Sequence, residues 1–271
     1  MATALTEPNA PVPSVTKDDI LAGVRALGLR AGDLAQFHSS LKSFGRVEGG
    51  PDAVIDACLE AVAPGGTVMM PTFNHGQREA FDDDQCIFDL DKTKSVNGAI
   101  TEVFRHRVGV RRSLHPSHPY AALGPLAEWL TKEHFDLDCF DARCPLGKLC
   151  AMNGWVVMLG CGMKACTAAH VAETIYGVPC IGQRQNAWPV RLAGGEMTTG
   201  YTVIWRDGKC PFEFVKIEQR LKDRGLLRET KVGNADLLAF RGADCIAVCM
   251  DLCHEHCPTC PRRPRKKERG V

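Results

Sequence analysis

Two hydrophobic rhythms alternate along the chain. Behind Thr16, Asp18 and Asp19, apolar Ile20, Leu21, Val24 and Leu27 recur at helical spacing, which predicts a capped amphipathic helix ended by Gly28 and Gly32. Val54, Ile55, Cys58, Leu59 and Val62 share that spacing and predict a helix over 52–63, closed by the Pro64-Gly65-Gly66 turn. Short apolar runs without that period, at 34–37, 67–70 and 155–159, predict buried strands. Helices are also expected over 97–106, 125–134, 212–224 and 244–254, and from 167 onward. The segments 188–192 and 201–205 predict an antiparallel strand pair.

Strands followed by helices through the first two thirds predict an α/β fold, with a parallel or mixed sheet covered by helices. No internal repeat or linker interrupts the pattern. One domain is therefore expected over 16–261, between a Pro- and Ala-rich arm at 1–15 and a basic tail at 262–271. The 74–94 stretch is polar and acidic, and a loop of that length inside a compact domain is usually functional or mobile.

Composition narrows the class. With 271 residues, 45% hydrophobic and 24% charged, the chain matches an ordinary globular protein and excludes a collagen-like, coiled-coil or wholly disordered one. No apolar run is long enough to span a membrane, and the first residues lack the basic and apolar regions of a signal peptide, so a cytoplasmic location is expected. The net charge of +1 conceals an asymmetry: RRPRKKERGV at the end holds six basic residues and one acidic one, leaving the body at −4. Such a tail suits either solvent or a polyanion.

Fourteen cysteines without a secretory signal read as reduced thiols, most of them small buried hydrophobes. Cys245, Cys249, Cys253 and Cys257 repeat every four residues, which describes a packing stripe on a helix. Cys253, Cys257 and Cys260 also have metal-like spacing, with Cys249, His254 or His256 as a fourth candidate ligand.

Ligand sites in open α/β sheets gather at the carboxyl ends of strands. Three polar clusters fall there: His38-Ser39-Ser40-Leu41, Pro71-Thr72-Phe73-Asn74, and Thr167, His170 and Glu173 after Gly160-Cys161-Gly162. Residues three apart on a helix lie within reach of one another. His170 with Glu173 forms a general-base arrangement, because a carboxylate orients the ring and stabilises the imidazolium. A surface His–Glu pair has the same spacing. No P-loop, two-histidine metalloprotease or G-x-S-x-G motif is present.

Taken in order, His38-Ser39-Ser40-Leu41, Gly45, Gly49-Gly50, Gly66-Thr67, Met70-Pro71-Thr72-Phe73, Gly98 to Arg105, Arg112-Ser113-x-His115-Pro116-x-His118, Leu159-Gly160 and Thr167-x-x-His170-x-x-Glu173 resemble the aminoglycoside 3-N-acetyltransferase family. The resemblance runs from about residue 15 to 180. It implies a three-layer α/β/α fold with a mixed central sheet and helices on both faces. It also implies acetyl-CoA as donor and an amine acceptor, an aminoglycoside or a related amine. On that reading His170, oriented by Glu173, takes the acceptor proton, and Thr167 contacts the thioester oxygen or sulfur. His38 supports the site. Ser39, Ser40, Leu41, Arg112 and Ser113 hold the coenzyme, and Thr72 and Phe73 line its channel. The acidic loop residues Glu79, Asp82, Asp83 and Asp84 are expected to meet the cationic acceptor. Pro119 departs from the small residue usual after the second histidine, and the C-terminal cysteines and basic tail have no counterpart in that pattern. A homodimer is compatible with this reading. The alternative is a non-catalytic metal- or nucleic-acid-binding module built on the C-terminal cysteines and tail.

Overall fold

A computed structural model describes residues 14–74, 87–178, 184–204 and 214–260. In chain order the elements are β1 (Ser14–Val15), α1 (Lys17–Ala26), β2 (Leu34–Ser39), β3 (Arg46–Val47), α2 (Gly50–Val62), β4 (Thr67–Pro71), β5 (Phe88–Asp89), α3 (Ala99–Phe104), β6 (Arg111–Arg112), β7 (Tyr120–Leu123), α4 (Ala127–Thr131), α5 (Pro145–Ala151), β8 (Trp155–Leu159), α6 (Ala168–Tyr176), β9 (Arg184–Arg191), β10 (Met197–Ile204), α7 (Phe214–Asp223), β11 (Arg228–Val232), β12 (Ala235–Arg241) and α8 (Gly242–His256). No helix among the described residues is long and apolar enough to cross a membrane.

The main sheet has the order β11-β12-β8-β2-β4-β7-β6. Its centre is the three strands expected from the apolar runs: β2 lies parallel to both β4 and β8. The outer pairings are antiparallel. The central strands are buried on both faces, which is why they read as unbroken apolar runs. Successive residues point to opposite faces. Trp155, Val157 and Leu159 therefore join the core under α1, α2 and α3, while Val156 and Met158 join the core under α5, α6 and α8. This is the expected three-layer α/β/α arrangement.

Local chemistry fixes the ends of elements. Thr16 Oγ1 accepts the Asp19 amide at 3.2 Å and the Asp19 carboxylate accepts the Thr16 amide at 2.9 Å, closing a reciprocal cap on α1. The helix expected to reach residue 134 stops at Thr131, where Lys148 Nζ takes the carbonyls of Trp129 at 2.9 Å and Lys132 at 3.0 Å. The expected arm is shorter than read: Ser14–Val15 pair in parallel with Arg46–Val47. The expected hairpin forms as β9–β10, extended to eight residues on each side, and joins β5 in a separate three-stranded sheet. Gly200 lets it close on the 113–119 segment, since a Cβ there would stand 2.9 Å from Pro116 Cγ.

The chain runs from β2 through α2 to β4 on one side of β2, and later returns to β8 on the other side. The sheet order thus reverses at β2, and the crevice beyond the carboxyl ends of β2, β4 and β8 is where such sheets bind ligands.

Candidate active site

The Ser39–Phe44 turn is built at the end of β2. Ser40 donates its amide to the Leu159 carbonyl at 2.9 Å, and a 3-10 turn follows over Leu41–Phe44. Ser43 Oγ lies 2.6 Å from the Gly160 carbonyl oxygen and 2.8 Å from Ser40 Oγ, which pins this turn to the end of β8. Gly160 has φ +71°, and a Cβ there would come within 2.6 Å of Ser43 Cβ. Only glycine fits this close approach. Ser39, Ser40 and Leu41 are half-buried at the crevice.

Thr167 occupies the residue before α6, and its backbone carbonyl accepts the His170 amide at 3.0 Å. On the first turns of α6, His170 Nδ1 sits 2.7 Å from Glu173 Oε2. Glu173 is 3% exposed, and a carboxylate so buried requires a charged or strongly polar partner. His170 is that partner, and its side chain keeps 26% exposure. The contact fixes the hydrogen on Nδ1 and puts the proton-accepting lone pair on Nε2. The Phe140 ring packs 4.9 Å from the imidazole.

His38 enters from β2 on the same face as α6. Its Nε2 lies 3.2 Å from Thr167 Oγ1 and 3.1 Å from Gln36 Nε2. Burial pushes its pKa down to about 4, so the ring is neutral near pH 7. The structure therefore joins His38, Thr167, His170 and Glu173 across one helix start and one strand end.

Other expected contacts are placed differently. Arg112, expected at the coenzyme, turns inward. Its Nε donates to Thr72 Oγ1 at 3.1 Å, Nη1 to the Leu90 and Thr93 carbonyls at 2.9 and 2.7 Å, and Nη2 to the Thr72 carbonyl at 2.8 Å. Burial pulls its pKa down to about 10, which leaves the guanidinium charged. Ser113 Oγ accepts the Tyr120 amide at 2.9 Å and faces His134 Nδ1 at 2.9 Å, and the residue is fully buried. Thr72 Oγ1 donates to the Pro119 carbonyl at 3.0 Å, and the Phe73 ring stacks edge-on to Tyr120 at 5.1 Å within the core. These four side chains hold the 72–120 region together, and Arg112 also borders an open pocket with Leu114, His134 and Lys148. The acidic loop residues Glu79, Asp82, Asp83 and Asp84, and the basic tail, lie outside the described residues.

Four of the C-terminal cysteines are packed in apolar clusters. Cys245 and Cys249 lie in the core beneath the sheet with Sγ atoms 3.9 Å apart. Cys253 and Cys257 pack with Tyr176 and Val178. Among the described residues, the metal-type cluster with ligand atoms within 4.8 Å is instead His115, His118 and Cys139. It does not fit a cation. His115 Nδ1 already accepts the Ser117 and His118 amides at 3.2 and 2.9 Å, so its hydrogen sits on Nε2 and no bare nitrogen remains. Burial pushes the His115 pKa down to about 3, and the ring stacks on His134 at 4.4 Å.

Two site residues escaped the sequence reading. Phe140 carries no local signal. Gln36 does: a polar residue inside an apolar run, two positions before His38, shares its face of the strand.

The model of the family described as aminoglycoside 3-N-acetyltransferase matches residues 37–254. The chain belongs to this family. It is 30% identical to aminoglycoside N(3)-acetyltransferase VII of Streptomyces paromomycinus, over 86% of this chain and 89% of that one. The solved structure of AAC-IIIb in binary complex with CoASH superposes with a TM-score of 0.78 at 26% identity, covering 90% of this chain and 97% of that one. A variant of aminoglycoside acetyltransferase AAC(3)-IVa in complex with a gentamicin matches with a TM-score of 0.76 at 27% identity, covering 90% of each chain. Membership of the aminoglycoside 3-N-acetyltransferase family makes the chain an acyltransferase.

Proposed function

We propose that the protein transfers the acetyl group of acetyl-CoA to an amine of an aminoglycoside, the 3-amino group of the 2-deoxystreptamine ring. The observation that carries this reading is the 2.7 Å His170–Glu173 contact at the head of α6, opening on the crevice at the reversal of sheet order. An acceptor ammonium must lose a proton before its lone pair can attack. His170 Nε2 takes that proton, and the buried Glu173 carboxylate stabilises the imidazolium. His170 passes that proton to solvent. The free amine nitrogen then bonds to the thioester carbonyl carbon and gives its second proton to His170. The carbon–sulfur bond breaks, and His170 hands this proton to the departing thiolate, leaving a neutral amide.

The chain offers unmatched polar atoms to the donor. Ser39 Oγ at the end of β2 and Asn74 Oδ1 beyond β4 are buried without hydrogen-bond partners among the described residues. Such atoms are costly unless a ligand uses them. Ser39 can meet a pantetheine carbonyl or amide, and Asn74 Oδ1 can only accept, which suits an amide N–H. The acidic loop at Glu79 and Asp82 to Asp84 is the proposed electrostatic partner of the polycationic acceptor.

Thiol release from acetyl-CoA, measured with gentamicin, apramycin and simple diamines as acceptors, tests the proposal. Stoichiometric release dependent on an aminoglycoside is the expected result. No acyl transfer to any aminoglycoside would overturn the acceptor assignment.

A further inference from the structure

Gln36 is fully buried in β2, between Val156 of β8 and Met69 of β4 in the strand register. An apolar side chain would fill that position without a desolvation penalty, whereas a buried amide carries one for every group left unpaired. Gln36 Oε1 has no hydrogen-bond partner among the described residues, so stability alone does not account for the residue. What the amide does make is the 3.1 Å contact from its Nε2 to His38 Nε2.

That one ring nitrogen faces two neighbours, Gln36 Nε2 and, at 3.2 Å, Thr167 Oγ1. An amide nitrogen only donates. A neutral His38 therefore holds Nε2 bare and its hydrogen on Nδ1. Toward a bare nitrogen the Thr167 hydroxyl also has to donate. Its single hydrogen is then committed to His38. The Tyr120 hydroxyl, kept protonated by burial, also faces Thr167 and takes one Oγ1 lone pair, and the other is left for the crevice.

We propose that Gln36 is a positioning residue for acyl transfer: through the His38 tautomer it makes Thr167 a hydrogen-bond acceptor that holds the attacking amine. The inference rests on His170 as the base. One N–H of the acceptor nitrogen goes to His170 and a second to Thr167, which aims the developing lone pair at the thioester. Thr167 thus takes a role different from contact with the thioester oxygen, since a lone pair directed at a developing oxyanion would oppose it. The depressed pKa of His38 agrees with a ring that stays neutral throughout.

The test starts with the wild-type protein labelled with 15N-histidine, with His38 assigned by comparison with His38→Asn. The 15N shifts separate a bare ring nitrogen from a protonated one. A bare Nε2 on His38 is expected, and a protonated Nε2 would overturn the proposal. Gln36→Glu keeps the shape but can only accept, so it should move the hydrogen to Nε2 and lower kcat at least about tenfold, as small misplacements of reacting groups do. The coenzyme KM should hold within about twofold. Thr167→Ser keeps the hydroxyl and should restore most activity relative to Thr167→Val. If Gln36→Glu fails to fold, Gln36→Leu serves: a kcat drop without a KM change supports the proposal, and an unchanged kcat rejects it. His170→Ala separates the two claims. If His170→Ala is inactive while both Gln36 variants keep wild-type kcat, only the Gln36 proposal falls. If His170→Ala keeps wild-type kcat, the base assignment itself falls.

Discussion

Side-chain chemistry decides the predictions at the scale of single residues. His170→Ala should lose about 100- to 10,000-fold in kcat, because its proton-accepting nitrogen is removed, while coenzyme affinity is kept. Steady-state kinetics with direct coenzyme titration check both halves. Glu173→Gln keeps the shape of a side chain that is 3% exposed and removes the charge that supports the imidazolium. Its kcat should fall, because the imidazolium formed on proton transfer loses its anionic partner. An unchanged kcat would detach Glu173 from the reaction. Arg112 shows what a motif leaves unread. Its position in the order of motifs was legible, but the direction of its side chain was not, because three carbonyls that it grips come from Thr72, Leu90 and Thr93, far away in sequence. Arg112→Leu leaves those acceptors unpaired. It should destabilise the fold by about 3 kcal/mol or more, measured by urea unfolding, with any rise in coenzyme KM following that loss.

Elements were readable where a single rhythm governs them. Helices α1, α2, α6 and α8 and strands β2, β4 and β8 each bury a face or both faces, and the burial writes a period into the sequence. The β11–β12 hairpin was missed because β11, Arg228–Val232, is an edge strand with charged residues on it and so lacks an apolar run. Helix α5 was missed because it has only seven residues, too few to show a period. Connections between elements were the least readable part of the site. The clasp between the Ser39–Phe44 turn and the end of β8 unites residues 117 apart in sequence. It gives a prediction at this scale. Gly160→Ala forces an L residue to φ +71° and a Cβ to within 2.6 Å of Ser43 Cβ. It should cost about 2–4 kcal/mol and raise the coenzyme KM by displacing the Ser39–Leu41 turn. Thermal unfolding and donor kinetics read the two effects.

At the scale of the whole molecule, buried histidines set the acid limit of stability. His38 and His115 have pKa values pushed by burial down to about 4 and about 3, and burial also holds His134 well below the ordinary range. In the unfolded chain each takes up a proton near pH 6.5. Between that value and the folded one, the unfolded state binds more protons, so stability falls as the pH falls through this window. His38 alone would contribute about 3 kcal/mol to the loss. Melting temperatures should be flat above about pH 7 and decline steadily toward pH 4, and His38→Asn should flatten the decline. The sheet order has another consequence, for what the protein can add to itself. The main sheet is sealed at both margins. β6 is two residues long, and β11 presents Arg228, Glu229 and Lys231 to solvent. Short and charged margins do not recruit foreign strands. Among the described residues the small sheet has no such guard. β10 pairs only with β9 among the described residues, runs eight residues, and exposes Met197 and Tyr201. Amide hydrogen exchange should therefore be slowest in β2 and β8 and much faster along the outward amides of β10, a long margin where a second copy could zip on and seed aggregation.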